Sequence, residues 1–253
     1  MPCDDDAARF ALSILAMRPE SPGRSVLPPD TSRSSCHSNT STPRCSMTAR
    51  PSFLLATHNE HKRREFERLL SRSSGADGWE LQMLPESVTL PPEEGEIFAE
   101  NALGKARAAA QSTGWECIAD DSGIAVQALG GGPGIRSARY AGEGATDEQN
   151  LAKLLREAPA GSALEYVCAL AYVDPRTGEE RVFEGRCSGR LAAEPRGERG
   201  FGYDPAFLPD DGPAGLTMAE LSDEQKDAIS HRGRALRALM AWWQRDATRA
   251  RGG

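Results

Sequence analysis

The sequence predicts an α/β domain built on a mixed β-sheet. Two observations carry that expectation. From Ser52 onward, short apolar runs alternate with segments of helical periodicity, the pattern of a sheet covered by helices. Within that alternation, two long strand-like runs follow one another through "PRTG", a hairpin signal that makes one strand pair antiparallel. No internal repeat interrupts the order.

The elements follow in turn. "SFLLAT" (52–57) is an apolar run ending in a polar loop, and "EHKRREFERLL" sets Phe66, Leu69 and Leu70 at helical spacing. "WELQMLP" (79–85) reads as a strand, followed by the acidic loop "PPEEGE". A helix over 97–113 is rich in alanine, the strongest helix former. "ECIADDSGIAV" (116–126) reads as a buried strand carrying two aspartates, and a Gly-rich turn, "ALGGGPGIRSARYAG", follows it. "TDEQNLAKLLREA" is a helix capped by Thr146. "ALEYVCALAYVD" and "EERVFEGRCSGRL" are the hairpin strands. The closing segment, "DEQKDAISHRGRALRALMAWWQR", places Leu236, Leu239, Met240 and Trp243 on one apolar stripe that packs into the core.

Bulk properties narrow the function classes. The charged residues before Met47 cancel, so the net charge of −7 belongs to the body. An acidic body argues against duplex nucleic acid, which is held by neutralising phosphates, but not against a small anion. No apolar run approaches the ~20 residues that cross a bilayer, so no membrane span is expected. The N-terminus, "MPCDDDAARF", is acidic where a signal peptide is basic. Cys3, Cys36 and Cys45 precede Met47, while Cys117, Cys168 and Cys187 sit singly in strand-like runs, and no CxxC pair suggests zinc. The expectation is a reduced, cytoplasmic protein with buried cysteines. Residues 1–46, dominated by Ser, Thr and Pro toward their end, are expected to be a disordered low-complexity extension. A sharper reading starts the natural protein at Met47, with 47–253 as the functional domain.

Four polar clusters interrupt this scaffold at strand ends and helix starts, where ligands of α/β sheets collect. "THNEHK" (Thr57, His58, Asn59, Glu60, His61, Lys62) joins the first strand to a helix whose N-terminus favours an anion, with Arg63 and Arg64 adding charge; an ordinary cap followed by a basic turn is an equal alternative. "PPEEGE" brings Glu93 and Glu94 ahead of a helix, which alone is a weak signal. "ADDSG" contains Asp120 and Asp121, which point to opposite faces of a strand unless the "SG" after them bends it. A divalent cation would offset the cost of such a carboxylate, and oxygen ligands suit Mg²⁺; a strand ending in an Asx turn is the structural alternative. The fourth cluster joins "RGFGYDPAF" to "EQKDAISHRG": Phe201 and Tyr203 offer flat faces for a base, Gly202 allows close approach, and Asp204 is an acceptor. Lys226, His231 and Arg232 are donors for phosphate or a base carbonyl. These residues describe a magnesium-dependent enzyme acting on a nucleotide or phosphorylated small molecule.

Together, "LLATHNEHKRREF", "EEGEIFAENALGKARAAA", "IADDSGIAVQALGGGPGIRSARYAG", "GRLAAEPRGERGFGYDPAFLPD" and "TMAELSDEQKDAISHRGRAL" resemble the inosine triphosphate pyrophosphatase family, the noncanonical purine (dITP/XTP) nucleoside triphosphate pyrophosphatases. The resemblance spans about 52–240 in the family's order. It implies an elongated central mixed sheet flanked by helices, two lobes with a substrate cleft between them, and a homodimer. It also implies hydrolysis of a nucleoside triphosphate at the α–β anhydride to the monophosphate and pyrophosphate. By the same resemblance, Thr57 to Lys62 form the triphosphate loop, with Lys105 adding charge. Glu93 and Asp121 are magnesium ligands, and Asp121 is also the general base. Ser122 contacts substrate, Phe201 to Asp204 bind the base, and Lys226, His231 and Arg232 recognise the purine. One departure is that His58 and His61 stand where the family commonly has glycines, a steric cost if either needs positive φ. The alternatives are a pyrophosphatase acting more broadly, on modified pyrimidine or ordinary deoxynucleotides, and a non-catalytic nucleotide sensor. Retention of Glu93 and both aspartates speaks against the sensor.

Overall fold

β3 (Cys117–Val126) is the strand on which the architecture turns. In the computed structural model, which describes residues 52–73 and 79–251, it lies third in a six-stranded sheet of order β2-β1-β3-β4-β5-β6. β1 (Ser52–Leu55) pairs in parallel with both β2 (Glu80–Met83) and β3. β3, β4 (Ala163–Asp174), β5 (Glu179–Leu191) and the short β6 (Phe207–Pro209) then run antiparallel to one another. The expected disorder of residues 1–46, a start at Met47, and Cys3, Cys36 and Cys45 lie outside the described residues.

Alternation along β3 and β4 builds two cores back to back. Ile118, Cys168, Leu170 and Tyr172 face α1 (Glu60–Ser73) and α5 (His231–Arg251), meeting Phe66, Leu69, Leu70, Leu236, Leu239 and Met240. Cys117, Ala119, Ala169, Ala171 and Val173 face α2 (Phe98–Thr113), whose alanines 102, 106, 109 and 110 let it lie close to the sheet. Both faces of this part of β4 are covered, which is why its sequence is continuously apolar. Farther along the same strands, Ile124, Val126, Leu164, Tyr166, Cys187 and Leu191 form a third core with Leu151 and Leu154 of α3 (Asp147–Glu157), Phe207 and Met218. The sheet thus carries two lobes. α3 begins with the expected cap, Thr146 accepting from Gln149 N while the Gln149 side chain accepts from Thr146 N. Cys117, Cys168 and Cys187 are free and buried. Among the described residues, no helix is long and apolar enough to cross a membrane.

One local expectation is corrected and two readings are made specific. β3 neither bends nor ends at "SG": it runs unbroken to Val126, with Asp120 opposite Leu170, Asp121 opposite Ala169 and Gly123 opposite Val167. The long β4 ladder keeps it straight. The closing segment is two helices, α4 (Asp223–Ile229) and α5, because Ser230 is extended (ψ 149°). The Ser230 hydroxyl then accepts from Gly233 N at 3.1 Å, capping α5. His61 lies within the first turn of α1, where helical backbone carries no positive-φ penalty.

Gly185 shows how closely α5 crosses the sheet. A Cβ there would lie 2.0 Å from His231 O and 2.5 Å from Ala235 N, both backbone atoms. Gly185→Ala is therefore expected to destabilise the fold by about 1–3 kcal/mol, the usual cost of overpacking. A chemical denaturation midpoint equal to that of the unaltered chain would contradict this packing.

Candidate active site

β1 stops while β3 continues, and the site lies at that step. The last pairing between them is Leu55 with Ile118, closed by Ala56 N donating to Ile118 O at 2.8 Å. Beyond Ile118 this edge of β3 faces a cavity of about 450 Å³, within the range of small-molecule sites. Side chains reach it from both faces of the sheet. Asp120 points toward α1 and α5, and Asp121 toward α2, as adjacent strand residues must.

On the α2 side, Asp121 Oδ2 accepts from Asn101 Nδ2 at 2.9 Å, and its Oδ1 accepts from Ser122 N at 3.1 Å. Lys105, one turn after Asn101 on α2, donates to Glu93 Oε1 and to Asp120 O, each at 2.6 Å, and lies 3.8 Å from Asp121 Oδ1. Burial raises the Asp121 carboxyl above its ordinary range, and Glu93 adds to this, against the pull of Lys105 and Lys62. Glu93 is lowered: burial pushes it up, but Lys105 more than offsets that.

On the α1–α5 side, Asp120 is buried and serves as a counter-ion. Its Oδ2 lies 3.1 Å from Lys62 Nζ and accepts from Arg232 Nε (3.2 Å) and Ser122 Oγ (3.0 Å). Burial opposes its charge, yet Lys62, Arg232 and Lys105 hold it well below the carboxylate range. Arg232 donates onward to Glu65 Oε2 (2.8 Å) and Ser122 Oγ (2.6 Å). Lys226 donates to Glu65 Oε1 (2.5 Å) and Asp204 Oδ2 (2.7 Å). Glu65 is therefore held at about 2 despite its burial. Burial and the neighbouring Arg232 keep His231 neutral, stacked on Tyr166 with ring centroids 4.6 Å apart. His231 Nδ1 and Asp120 Oδ1 are buried polar atoms without a partner among the described residues.

Most residues singled out from the sequence line this one cavity: Thr57, His58, Asn59, Lys62, Glu93, Lys105, Asp121, Ser122, Phe201, Gly202, Tyr203, Asp204, Lys226, His231 and Arg232. Several also make structural contacts of their own. Asn59 is the cap of α1, its Oδ1 accepting from Lys62 N at 3.1 Å while Thr57 Oγ1 accepts from Asn59 N. Asp204 turns into its own loop, accepting from Phe201 N, Lys226 and the Tyr166 hydroxyl. Glu60 and His61 lie outside the cavity wall. Glu60 pairs with Arg63 and Arg64, neither of which lines the cavity, and His61 stacks on Phe201 at 5.1 Å. Lys226 and Arg232 also lie near the Phe201 ring, 5.4 and 5.3 Å from its centroid.

Several cavity or network residues escaped the sequence reading. Glu65 follows Lys62 by three and Asn101 precedes Lys105 by four, spacings that place each pair on one helix face. Asp147, at the start of α3, accepts from Gly202 N at 2.8 Å. Tyr166 and Arg139 line the cavity but carry no local sequence signal.

A mixed sheet with an edge cavity, lysines beside paired carboxylates at one end and stacked rings at the other, defines an α/β protein that takes an anionic, ring-bearing ligand. The chain belongs to the Ham1 family, whose profile matches residues 53–242. It is 46% identical over 196 residues to the dITP/XTP pyrophosphatase of Cutibacterium acnes, covering 74% of this chain and 94% of that protein. With the dITP/XTP pyrophosphatase of Frankia alni it shares 48% over 195 residues, 74% of this chain and 94% of that one. Among solved structures, the Staphylococcus aureus Ham1 protein superposes with a TM-score of 0.65 at 37% identity, covering 77% of this chain and 99% of that chain. A Coxiella burnetii HAM1 protein gives a TM-score of 0.68 at 36% identity with the same coverage.

Proposed function

We propose that this chain hydrolyses dITP, ITP and XTP to the nucleoside monophosphate and pyrophosphate, clearing deaminated purines from the nucleotide pool. The carrying observation is the single cavity that sets Lys62 and Lys105 beside Glu93 and Asp121, with Phe201, Tyr166 and His231 on its wall. The relatives named dITP/XTP pyrophosphatase support the same reading.

In this reading the triphosphate meets Lys62, Lys105 and the N-terminus of α1, and the base meets Phe201 and His231. A hypoxanthine or xanthine edge presents a carbonyl at position 6, where adenine presents an amine. The unpartnered Nδ1 of neutral His231, carrying the ring proton, would donate to that carbonyl, and adenine's amine would leave it unpaired, which discriminates strongly. Lys226 and Arg232 shape this end of the site from their ion-pair network. Asp121 accepts the proton of the attacking water, and burial makes its carboxylate the more basic of the pair.

The donor set fits Mg²⁺. Glu93 and Asp121 are hard oxygen donors on one wall, near enough for Glu93 to raise the Asp121 carboxyl, a like-charge cost that a divalent cation relieves. Mg²⁺ is commonly held by one or two carboxylates together with substrate phosphates. When bound, it would neutralise charge on the reacting phosphates. Residues 47–253 constitute the pyrophosphatase domain in this proposal, working in the cytoplasm as a homodimer.

Pyrophosphate release, measured with and without Mg²⁺ on dITP, XTP, dUTP, GTP and ATP, tests the reading. Metal-dependent release is expected to be fastest with dITP and XTP. Equal turnover of ATP and dITP would instead indicate a broad nucleotide pyrophosphatase.

A further inference from the structure

The Gly-rich turn after β3 supplies Arg139, a cavity residue with no role assigned above. It ends a 3-10 turn, Gly134–Arg139, that is fastened on three sides. Ser137 Oγ accepts from Ile124 N of β3 at 2.9 Å and donates to Gly134 O at 2.6 Å. The Tyr203 hydroxyl donates to Ser137 O at 2.7 Å. Asn150 of α3 accepts from Ala141 N at 2.7 Å and donates to Ala138 O at 3.1 Å. Gly123 permits this closeness, since a Cβ there would lie 2.4 Å from both Gly134 O and Ser137 Oγ.

From this fixed base in the second lobe, the Arg139 guanidinium reaches across to the acidic loop of the first. Its Nη2 donates to Glu93 O at 3.1 Å, and Nη1 lies 3.8 Å from Glu93 Oε2. Glu143 lies 3.6 Å from its Nε, on the side of its own turn. Glu93 needs such a hold. It sits in a stretch without helix or strand between β2 and α2, where Asn101 anchors Gly95 N at 2.8 Å and Lys105 pairs with the Glu93 carboxylate. Arg139 is what ties the Glu93 main chain to the opposite lobe.

We propose that Arg139 is a positioning residue for the reaction: anchored in one lobe, it fixes the Glu93 backbone in the other and so aims the Glu93 carboxylate at the Asp121 side of the cavity. This rests on the reading of Glu93 and Asp121 as the carboxylates that hold the divalent cation. A residue that only braces the lobes would change stability and leave cation affinity alone, whereas a residue that aims a ligand changes the affinity itself.

The test compares Arg139→Ala and Arg139→Lys with Arg107→Ala, which removes an exposed pair with Glu180 outside the cavity. Calorimetric titration of Mn²⁺ into the full chain without nucleotide reads the cation site independently of turnover. Arg139→Ala is expected to weaken Mn²⁺ binding about tenfold or more, the usual effect of removing a group that orients a metal ligand. The Mg²⁺ concentration for half-maximal dITP hydrolysis should rise by the same factor, with KM for dITP at saturating Mg²⁺ unchanged. Arg139→Lys, which keeps the charge but offers a point donor in place of the fork, should recover part of the affinity at an unaltered unfolding temperature. Arg107→Ala should match the unaltered chain. Unchanged Mn²⁺ affinity in both Arg139 variants would overturn the proposal, whatever happens to stability. Should Glu93→Gln also leave Mn²⁺ affinity unchanged, the assignment of Glu93 as a cation ligand fails with it.

Discussion

Asp121→Asn is expected to lower dITP turnover by at least about 10²-fold, the low end for losing an acid–base group, while the fold stays intact. The fold survives because asparagine is isosteric and its oxygen still accepts from Asn101 Nδ2, at the cost of the one bond that Oδ1 accepts from Ser122 N. It also removes a charge that burial and Glu93 already disfavour, so the substitution relieves repulsion as well as weakening the contact with Lys105. What is lost, in the proposed mechanism, is the carboxylate that would take the proton and share a divalent cation with Glu93. Steady-state kinetics alongside thermal unfolding checks this: turnover near that of the unaltered enzyme would remove Asp121 from the chemistry.

Arg232→Ala is expected to act on stability before it acts on selectivity. The sequence alone suggests a purine-reading donor, but the structure places this guanidinium among Asp120, Glu65 and Ser122, buried with both carboxylates. Removing it leaves two buried carboxylates short of a counter-ion, a change that typically costs about 3–5 kcal/mol. The pH dependence follows from the same network. Glu65, held at about 2, and Asp120, also depressed, have folded pKa values below their unfolded ones. Their contribution is complete above the unfolded values and is lost as the pH falls from about 4.5 toward 2. Without Arg232 the depression shrinks, so acid unfolding should begin at higher pH. Urea denaturation at neutral pH together with an acid titration measures both effects. A loss below about 1 kcal/mol with an unmoved acid transition would mean the network contributes little.

How much of this was legible beforehand depends on the distance over which each feature is determined. The hairpin β4–β5, the Thr146 cap and the alanine face of α2 are local, and each follows from a few neighbouring residues. The polar clusters were legible because charged and glycine-rich segments interrupt apolar runs where an α/β sheet collects ligands. The behaviour of "ADDSG" was not. Whether β3 bends after Asp121 depends on its ladder with β4, some fifty residues later, and on where β1 stops. The roles of Glu65 and Asp204 depend on Lys226, which lies 161 residues from Glu65 in sequence. Ion-pair networks that join distant helices leave only charge in the sequence, and charge alone reads as a solvated face. β6, three residues long, is too short for any periodicity to reveal.

The most direct test of the central claim is the product ratio from dITP, followed by phosphorus NMR in the presence of Mg²⁺. Deoxyinosine monophosphate and pyrophosphate are expected in equal amounts, with no diphosphate intermediate, and the Asp121→Asn protein should suppress both together. Orthophosphate and a nucleoside diphosphate as the first products, or no turnover of dITP at all, would contradict it.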